Sequence, residues 1–469
     1  MSKLKEKEGS IHFMGILGSG CYPLAEMLFR RGYKVTGTDI AADTENDTSP
    51  VEIPIWHSLK ALPEDTSILI YSLAVKDTDP LISDAKEREI PLISRAQLLG
   101  ALMSQYPIRI AVSGSHGKST TTALVEHILS VAAVPHTAVS GAKLTTGKSY
   151  TDCGGDVFVA EACEYKDSFL SIPATHQIIT SVELDHTDYF CDEEAILHSF
   201  FVAASRAENV ILNIDDPLTS RIYEMLSELK NDTKFYTSSP LLTESTVTMP
   251  SKVVSYGKDE KADFKISSIV RKGEFTHFSL TFGGETLNLT TSLMGEFNLF
   301  NIAAAVTVAH TLGIDFTSIS EAVSTFRGIE RRLSLLTYID NTPVFYDYAH
   351  HPSEISAVIC ALRERYGTVT LIFRPHTFSR TKSLWSQFVN SLSMADRVVL
   401  LDIYPAREDA IDGVNSYRLA EEIPSAVYCA EMSDAVRLAT CEPSGAIALV
   451  GAGEVEDIKK ALWKKGKHG

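Results

Sequence analysis

The chain has 469 residues, of which 44% are hydrophobic and 22% charged, a composition typical of a folded globular protein with roughly two to four domains. Acidic residues outnumber basic ones by 60 to 43, and the resulting net charge of -17 argues against a general nucleic-acid-binding protein. The seven cysteines are scattered without a C-x-x-C pair, and no run approaches the roughly 18 apolar residues of a membrane span, so we expect a cytosolic protein.

The first 106 residues predict a Rossmann-like α/β domain, because short apolar strands alternate with helical patterns. The first strand enters a turn at residues 15–20, whose glycines would let a diphosphate approach the start of the next helix. The spacing differs from G-x-G-x-x-G, so a nicotinamide cofactor is only weakly indicated, and a tight turn without a ligand is the alternative. Asp39 ends the following strand. Strands are predicted at 11–15, 34–39 and 67–75, and helices at 23–31 and 79–89.

A second domain, with a mixed sheet, is predicted over residues 107–327, where the strand Ile108–Ser113 runs into a glycine-rich loop and then a helix. In such a loop the backbone amides surround phosphate oxygens, Lys118 can reach the β- and γ-phosphates, and the Ser119 hydroxyl can bind Mg²⁺. Val112 stands where the pattern G-x-x-x-x-G-K-[ST] has its first glycine, and an ordinary turn with a surface lysine is the alternative. The predicted phosphate loop consists of Gly114, Ser115, His116, Gly117, Lys118, Ser119 and Thr120.

Polar side chains follow two further apolar strands of this domain. Glu161 ends one strand and Glu164 follows it, while Asp185 and His186 come just after the other. Because parallel strands end at the same edge of a sheet, these groups are predicted to hold one or two metal ions beside the phosphates. Taken alone, each is more often a structural polar residue, and the phosphate loop is what favours the metal interpretation. The two strands, an antiparallel segment and a helix are predicted at 157–161, 178–182, 232–293 and 298–312.

A third domain, also Rossmann-like, is predicted over residues 328–469. Two motifs, at 347–352 and 373–380, each follow an apolar strand and are expected at the carboxyl edge of a parallel sheet. The adjacent histidines of the first motif should point apart, which argues against one shared metal ion. Arg380 can bind a substrate carboxylate through two hydrogen bonds, and Arg331 can reach a phosphate unless its arginine pair is simply solvated. Strands are predicted at 344–348, 368–373, 397–402, 426–430 and 446–450, and a helix at 353–366.

Six motifs in this order resemble those of the Mur ligases, and the resemblance spans essentially the whole chain. Their joint occurrence is far more specific than any single motif. The resemblance implies three domains, which bind in order a uridine nucleotide, ATP and an amino acid. The motifs are Gly114-Ser115-His116-Gly117-Lys118-Ser119, Glu161-Ala162-Cys163-Glu164, Asp185-His186, Gly295-Glu296-Phe297-Asn298 with Asn301, Asp347-Tyr348-Ala349-His350-His351-Pro352 and Arg374-Pro375-His376.

The resemblance also implies a ligase of peptidoglycan precursor synthesis that uses ATP and Mg²⁺. ATP would phosphorylate the lactyl carboxylate of UDP-N-acetylmuramate, and the amine of L-alanine would displace phosphate through a tetrahedral intermediate. Two alternatives stay open: a recycling member that attaches a preformed tripeptide to the same sugar nucleotide, and a relative that binds nucleotide without turnover. The expected partners are small-molecule substrates, with no nucleic acid and no membrane.

Together with the motifs, the resemblance predicts which residues form each site. The predicted catalytic residues are Lys118, His186, His350, His376 and Arg380. ATP is assigned to the phosphate loop, residues 114–120, with Asn298 and Arg331, and metal ions to Ser119, Glu161 and His186. The UDP-sugar is assigned to Gly18, Ser19, Gly20, Asp39 and Ser72, and the amino acid to Tyr348, His350 and Arg380.

Overall fold

A computed structural model of the protein describes residues 9–42, 47–48, 52–73, 75–186, 189–229, 250–406, 408–441, 445–452 and 455–468. Over these residues the chain forms helices and three β-sheets, of six, ten and six strands. This is the α/β architecture with three sheets that the alternation of strands and helices predicts. In the same ranges no helix combines the length and the apolar character needed to cross a bilayer.

The first sheet is parallel except at one edge. Its elements are β1 (Ser10–Met14), α1 (Tyr22–Arg30), β2 (Lys34–Thr38), β3 (Asp47–Thr48), β4 (Pro54–Trp56), β5 (Thr66–Tyr71), α2 (Pro80–Glu87), β6 (Leu92–Ser94) and α3 (Arg95–Met103). The strand order is β3-β4-β2-β1-β5-β6, and only β3 and β4 pair antiparallel. Every residue of β1 is buried, as expected for a central parallel strand covered on both faces.

The second sheet is mixed, with a parallel centre and antiparallel ends. Its elements are β7 (Ile108–Ser113), α4 (Lys118–Val131), β8 (His136–Val139), β9 (Tyr150–Asp152), β10 (Val157–Glu161), β11 (His176–Ile179), α5 (Glu193–Ser205), β12 (Asn209–Asn213), α6 (Pro217–Leu229), β13 (Lys252–Gly257), β14 (Phe264–Lys272), β15 (Phe275–Phe282), β16 (Glu285–Thr291), α7 (Glu296–Thr311) and α8 (Phe316–Thr325). The order is β16-β15-β14-β13-β12-β11-β7-β10-β8-β9. Because β7 lies between β11 and β10, three strands that precede predicted site residues are neighbours.

The third sheet is parallel apart from its first strand. Its elements are β17 (Ser334–Ile339), β18 (Thr342–Asp347), α9 (Pro352–Tyr366), β19 (Val369–Phe373), α10 (Phe378–Ser383), α11 (Trp385–Leu392), β20 (Arg397–Leu400), α12 (Ser416–Glu421), β21 (Ala426–Tyr428), α13 (Met432–Thr440), β22 (Ala446–Val450) and α14 (Glu456–His468). The order is β17-β18-β22-β19-β20-β21. The two predicted motifs follow β18 and β19, which both pair with β22, so both motifs leave the same edge of the sheet.

The chain divides into two compact units. The first comprises Met1–Thr291 with Phe300–Phe326, and the second Ser292–Leu299 with Arg327–Gly469. The first unit contains both the first and the second sheet, whose side chains share one hydrophobic core. Arg31 after α1 also pairs with Asp152 of β9, with Nε 2.8 Å from a carboxylate oxygen. The predicted domain boundaries at 106/107 and 327/328 stay predictions.

The predicted elements differ from the observed ones mainly at their ends. The strand predicted at 67–75 ends at Tyr71. The antiparallel pairing predicted for 232–293 begins only between β14 and β15, because β13 pairs parallel with both β12 and β14. Part of that segment, residues 230–249, lies outside the described residues. The sequence pattern does not predict β17, whose burial lacks clear alternation.

Candidate active site

The phosphate loop joins β7 to α4 at the carboxyl edge of the second sheet, where β10 and β11 also end. Gly117 precedes α4 with a φ of 84°, a left-handed conformation that glycine adopts without strain. A Cβ at this position would lie 2.3 Å from Oδ1 of Asn301, so only glycine fits between the loop and this asparagine. Lys118 and Ser119 then form the first turn of α4, as the sequence predicts.

Residues that follow β11 form hydrogen bonds with the phosphate loop and fix its conformation. The Ser115 amide donates to the carbonyl of Ser181 at 2.8 Å, and the Ser115 hydroxyl donates to the carbonyl of Glu183 at 3.0 Å and accepts from the Glu183 amide at 2.8 Å. Nε2 of His116 lies 2.8 Å from Oε2 of Glu183. These bonds hold the loop in one shape before a ligand enters, which reduces the entropy lost on binding.

Lys118 is an almost buried cation paired with an almost buried carboxylate. Its Nζ lies 2.9 and 3.0 Å from the two carboxylate oxygens of Glu164 and also donates to the carbonyls of Gly114 and Ser115. The Lys118 and Glu164 side chains are 15% and 3% exposed. Burial by itself lowers the pKa of Lys118, but the Glu164 carboxylate and weaker contributions from its neighbours raise that pKa above its ordinary value. Lys118 is therefore positively charged at neutral pH.

A cavity of about 360 Å³ is lined both by the turn at residues 15–20 and by the end of β10. On one side lie the predicted sugar-nucleotide residues Gly18, Ser19, Gly20 and Ser72. On the other side lies Glu161, whose Oε2 accepts hydrogen bonds from the Ser140 hydroxyl at 3.1 Å and the Gly141 amide at 2.9 Å. The structure thus brings four of the predicted UDP-sugar residues and one predicted metal ligand to one cavity.

Asp39 contacts the backbone of this turn. One carboxylate oxygen accepts from the Leu17 amide at 2.8 Å, and the other accepts from the Ala41 amide at 3.0 Å. Asp39 does not belong to the cavity lining, which places it as a support of the turn. Its predicted contact with the UDP-sugar stays a prediction.

The two remaining predicted metal ligands follow different strands: Ser119 lies in α4 after β7, and His186 follows β11. Ser119 is 6% exposed in the first turn of α4. His186 follows β11 with a φ of 54°, its ring lies 4.7 Å from that of Tyr165, and its amide donates to Asp185 at 2.7 Å. Tyr165 also lines the cavity next to Glu161. The roles of Ser119 and His186 stay predictions.

In the second compact unit, the two motifs of the third sheet bring His350, His376 and Arg380 together. The ring centroids of His350 and His376 are 5.9 Å apart, and Nδ1 of His376 lies 3.4 Å from a guanidinium nitrogen of Arg380. The ring of Tyr404 lies 5.6 Å from that of His376. Burial, with a further contribution from Arg380, lowers the pKa of His376 to about 4. His376 is therefore a neutral imidazole near pH 7.

The adjacent histidines diverge, as the strand geometry predicts. His350 faces His376, whereas Nδ1 of His351 lies 2.7 Å from the Ser353 hydroxyl at the start of α9. Just before them, Asp347 accepts hydrogen bonds from the amides of Leu333 and Ala349, each at 2.7 Å. Burial raises the pKa of Asp347 to about 6 in spite of these bonds. Through its bonds to these two amides, Asp347 fixes the backbone at the start of the motif.

Two residues predicted to bind ATP also belong to the second unit. The guanidinium of Arg331 lies 4.3 Å from the ring centre of Tyr348, which is a cation–π contact. Asn298 donates from Nδ2 to the carbonyl of Met294 at 2.7 Å. The assignment of both residues to ATP, and of Tyr348 to the amino acid, stays a prediction.

Several contacts at these sites were not predicted. Asn301 belongs to the fourth motif and Glu183 lies just before the Asp185-His186 motif, separated from it by one residue, but neither the contact of Glu183 with His116 nor that of Asn301 with Gly117 was expected. Arg95, the first residue of α3, and Tyr404, which packs on His376, have no local motif around them. Only the packing of distant segments reveals these two.

Comparison with known proteins identifies matching domains along most of the chain. The catalytic domain of the Mur ligase family matches residues 10–107, and the Mur ligase middle domain matches residues 112–241 and 238–309. The Mur ligase glutamate ligase domain matches residues 331–453.

Individual relatives match over almost their whole length. A UDP-N-acetylmuramate--L-alanine ligase from Syntrophus aciditrophicus is 31% identical, with 99% of this chain and 95% of the relative covered, and one from Lachnospira eligens is 33% identical, with 97% and 98% covered. The solved structure of a UDP-N-acetylmuramate-alanine ligase from Thermotoga maritima has the same fold, with a TM-score of 0.78, 22% identity and 98% and 99% covered. The solved structure of a murein peptide ligase from Psychrobacter arcticus has a TM-score of 0.68 and 19% identity, with 97% of this chain and 98% of that chain covered. With three matching domains and relatives above 30% identity over nearly its whole length, this chain belongs to the Mur ligase family.

Proposed function

We propose that this protein joins L-alanine to the lactyl carboxylate of UDP-N-acetylmuramate, with ATP converted to ADP and phosphate, in the synthesis of peptidoglycan precursors. The observation that carries the proposal is the cavity between the turn at residues 15–20 and Glu161. Glu161 ends β10, which pairs with the strand that leads into the phosphate loop. A sugar nucleotide bound at the turn would therefore present its acid toward the strand ends that surround ATP. Relatives of 31% and 33% identity are named UDP-N-acetylmuramate--L-alanine ligase.

The chemistry explains why a triphosphate is needed. A carboxylate is a poor electrophile, so its oxygen first attacks the γ-phosphorus of ATP, and the bond from that phosphorus to the bridging oxygen breaks. The amine of L-alanine then attacks the carbonyl carbon of the acyl phosphate, and phosphate leaves with the former carboxylate oxygen. In the first step, Lys118 and the loop amides stabilise the negative charge on the transferred phosphate.

We assign Mg²⁺ to Ser119 and Glu161, with His186 at a second ion. Hydroxyl and carboxylate oxygens are the ligands that Mg²⁺ prefers, and Oε1 of Glu161 has no hydrogen bond among the described residues. His186 offers a nitrogen, which suits Mg²⁺ less well than oxygen does. When bound, the ion neutralises phosphate charge during transfer. The gap in the hydrogen bonding of Glu161 is the structural support for this assignment.

We assign the amino acid to the groups of the second unit. The guanidinium of Arg380 can bind the carboxylate of L-alanine, with Tyr348 and His350 beside it. The ammonium group of alanine must lose a proton before its nitrogen can attack. The ring of His376 is neutral near pH 7 and can accept a hydrogen bond from this amine, whereas its lowered pKa makes it a weak base for removing the proton.

The test of the function is release of phosphate from ATP in a coupled assay. We expect release to require UDP-N-acetylmuramate together with L-alanine, and to be slower with glycine or L-serine at equal concentration. A clear preference for a preformed tripeptide over L-alanine would assign the protein to recycling instead. If no amino acid or peptide supported phosphate release, the proposal would be contradicted. The protein would then be a relative that binds nucleotide without ligase activity.

The Mg²⁺ assignment predicts the behaviour of Glu161→Gln. Because an amide oxygen carries no net charge, we expect the Mg²⁺ concentration for half-maximal phosphate release to rise at least about tenfold. Glu260→Gln is the matched control, since Glu260 is an exposed carboxylate paired with Lys265, and its Mg²⁺ requirement should equal that of the unaltered protein. Equal requirements in all three proteins would contradict the role of Glu161.

The environment of His376 predicts its titration. Its pKa of about 4 lies below the ordinary value, so the folded protein binds fewer protons than the unfolded chain between about pH 4 and 6.5. Any contribution of His376 to stability is thus present above pH 6.5 and is lost as the pH falls toward 4. We expect the ring C–H signal of His376 in NMR spectra to titrate near pH 4, and at higher pH in Arg380→Ala. A midpoint near 6.5 in the unaltered protein would contradict the burial argument.

A further inference from the structure

Arg95 is a basic residue in the cavity to which neither the motifs nor the family comparison assigns a role. It begins α3, immediately after Ser94, whose hydroxyl caps the helix. A Cβ on Gly20 would lie 3.0 Å from Cδ of Arg95 and 3.2 Å from its Nε, so the arginine lies directly against the turn at residues 15–20. It lines the same cavity as Ser72 and Glu161.

The guanidinium of Arg95 has no anionic partner within the described part of the chain. Neither a hydrogen bond nor an ion pair joins it to another described residue, whereas Arg31 pairs with Asp152. Burial raises the pKa of the Cys21 and Cys163 thiols, which both line the cavity, and the positive charge of Arg95 acts on these pKa values in the opposite direction. A half-buried cation without a counter-charge costs free energy, so its environment favours a bound anion.

The lining of the cavity offers little positive charge to a bound anion. Among the described residues that line the cavity, Arg95 is the one basic side chain, and Glu161 is the one acidic side chain. Arg95 lies against Gly20, and the turn at residues 15–20 contains no charged residue of its own. Any phosphate at this turn would therefore depend on Arg95 for side-chain charge.

We propose that Arg95 binds the diphosphate of the sugar nucleotide and is the main source of positive charge for that group. This inference rests on the proposed function, because it takes the sugar nucleotide as the occupant of the cavity. The planar guanidinium can donate two parallel hydrogen bonds to phosphate oxygens, which a lysine ammonium cannot do. Arg95 is a binding residue in this scheme and takes no part in bond making.

The experiment compares UDP with uridine by calorimetry, because the two ligands differ only in the diphosphate and neither requires turnover. We expect Arg95→Met, which keeps an apolar stem against Gly20, to weaken UDP binding by about 10- to 100-fold and to leave uridine binding unchanged. The UDP affinity of Arg95→Lys should lie between that of Arg95→Met and that of the unaltered protein. Arg363→Met is the control for loss of one positive charge, since Arg363 pairs with Asp396 on the surface of the second unit, and it should bind UDP normally.

Labelling of the unaltered protein tests the same contact without a substitution. Phenylglyoxal modifies accessible arginines, and we expect UDP to protect Arg95 from modification while uridine does not, as read by peptide mass spectrometry. Failure of UDP to protect Arg95, or equal losses of UDP and uridine affinity in Arg95→Met, would overturn the proposal. So would a variant that binds UDP normally but no longer prefers UDP-N-acetylmuramate to UDP-N-acetylglucosamine, because Arg95 would then bind the lactyl carboxylate.

These outcomes are separable from failure of the proposed function. L-alanine-dependent phosphate release by the unaltered protein tests the function on its own. If that release is observed while Arg95→Met retains its preference for UDP over uridine, only the inference about Arg95 is wrong. If the unaltered protein neither turns over nor binds UDP, both are wrong.

Discussion

Lys118→Met is expected to lower kcat/KM for phosphate release by about 10³-fold, the upper end of the effect of removing one preorganised donor from a developing charge. The position of Nζ in the phosphate loop is the reason. The single substitution also leaves Glu164, which is 3% exposed, without its cation. Loss of one partner of a buried ion pair costs about 3–5 kcal/mol of stability, so the single variant combines a catalytic with a structural defect.

A double substitution separates the two defects. In Lys118→Met with Glu164→Gln neither buried partner is charged, so we expect Tm to recover toward that of the unaltered protein while kcat/KM stays low. Glu164→Gln alone keeps Lys118 bonded to the carbonyls of Gly114 and Ser115 and should retain most of its turnover. The measurements are thermal unfolding and the coupled phosphate assay. If the double variant regained turnover together with its Tm, Lys118 would have only a structural role.

Gly117→Ala is expected to lower ATP-dependent turnover by at least about 10²-fold, because the loop can no longer close around phosphates. At a φ of 84°, an L-residue costs about 1–2 kcal/mol, and the added methyl group would lie 2.3 Å from Asn301. The loop must therefore move, and its amides lose their alignment. Both the KM for ATP and kcat should change, since the loop binds the ground state and the transition state.

Gly313→Ala is the matched control. Gly313 follows α7 with a φ of 76°, and a Cβ there would meet no atom within 4 Å, so the backbone strain is similar and the clash is absent. We expect a comparable loss of stability and unchanged kinetics. In Gly117→Ala with Asn301→Ala the clash is removed and the strain stays, so turnover should recover in part relative to Gly117→Ala. Normal kinetics in Gly117→Ala would contradict the proposed loop function.

Local patterns predicted much of the fold. The strand before the phosphate loop and the start of α4 were placed correctly, because an apolar run, a glycine turn and a helical pattern follow one another without interruption. The parallel β13 and the edge strand β17 were not recognised, because their pairing depends on neighbours far along the chain. The contiguous motif at residues 114–120 was located correctly at the junction of β7 and α4, and the roles of its residues stay predictions.

The sequence by itself determined the alternation of strands and helices, the residue types of the loop at 114–120 and the order of the family motifs. These properties depend on residues within a few positions of one another, whose backbone periodicity and side-chain types can be read directly. Only the tertiary structure placed Glu164 on Lys118, Glu183 on His116, Asn301 on Gly117 and Arg95 against Gly20. Strand order and side-chain packing decide such contacts, and both depend on the burial of the whole chain rather than on any local pattern.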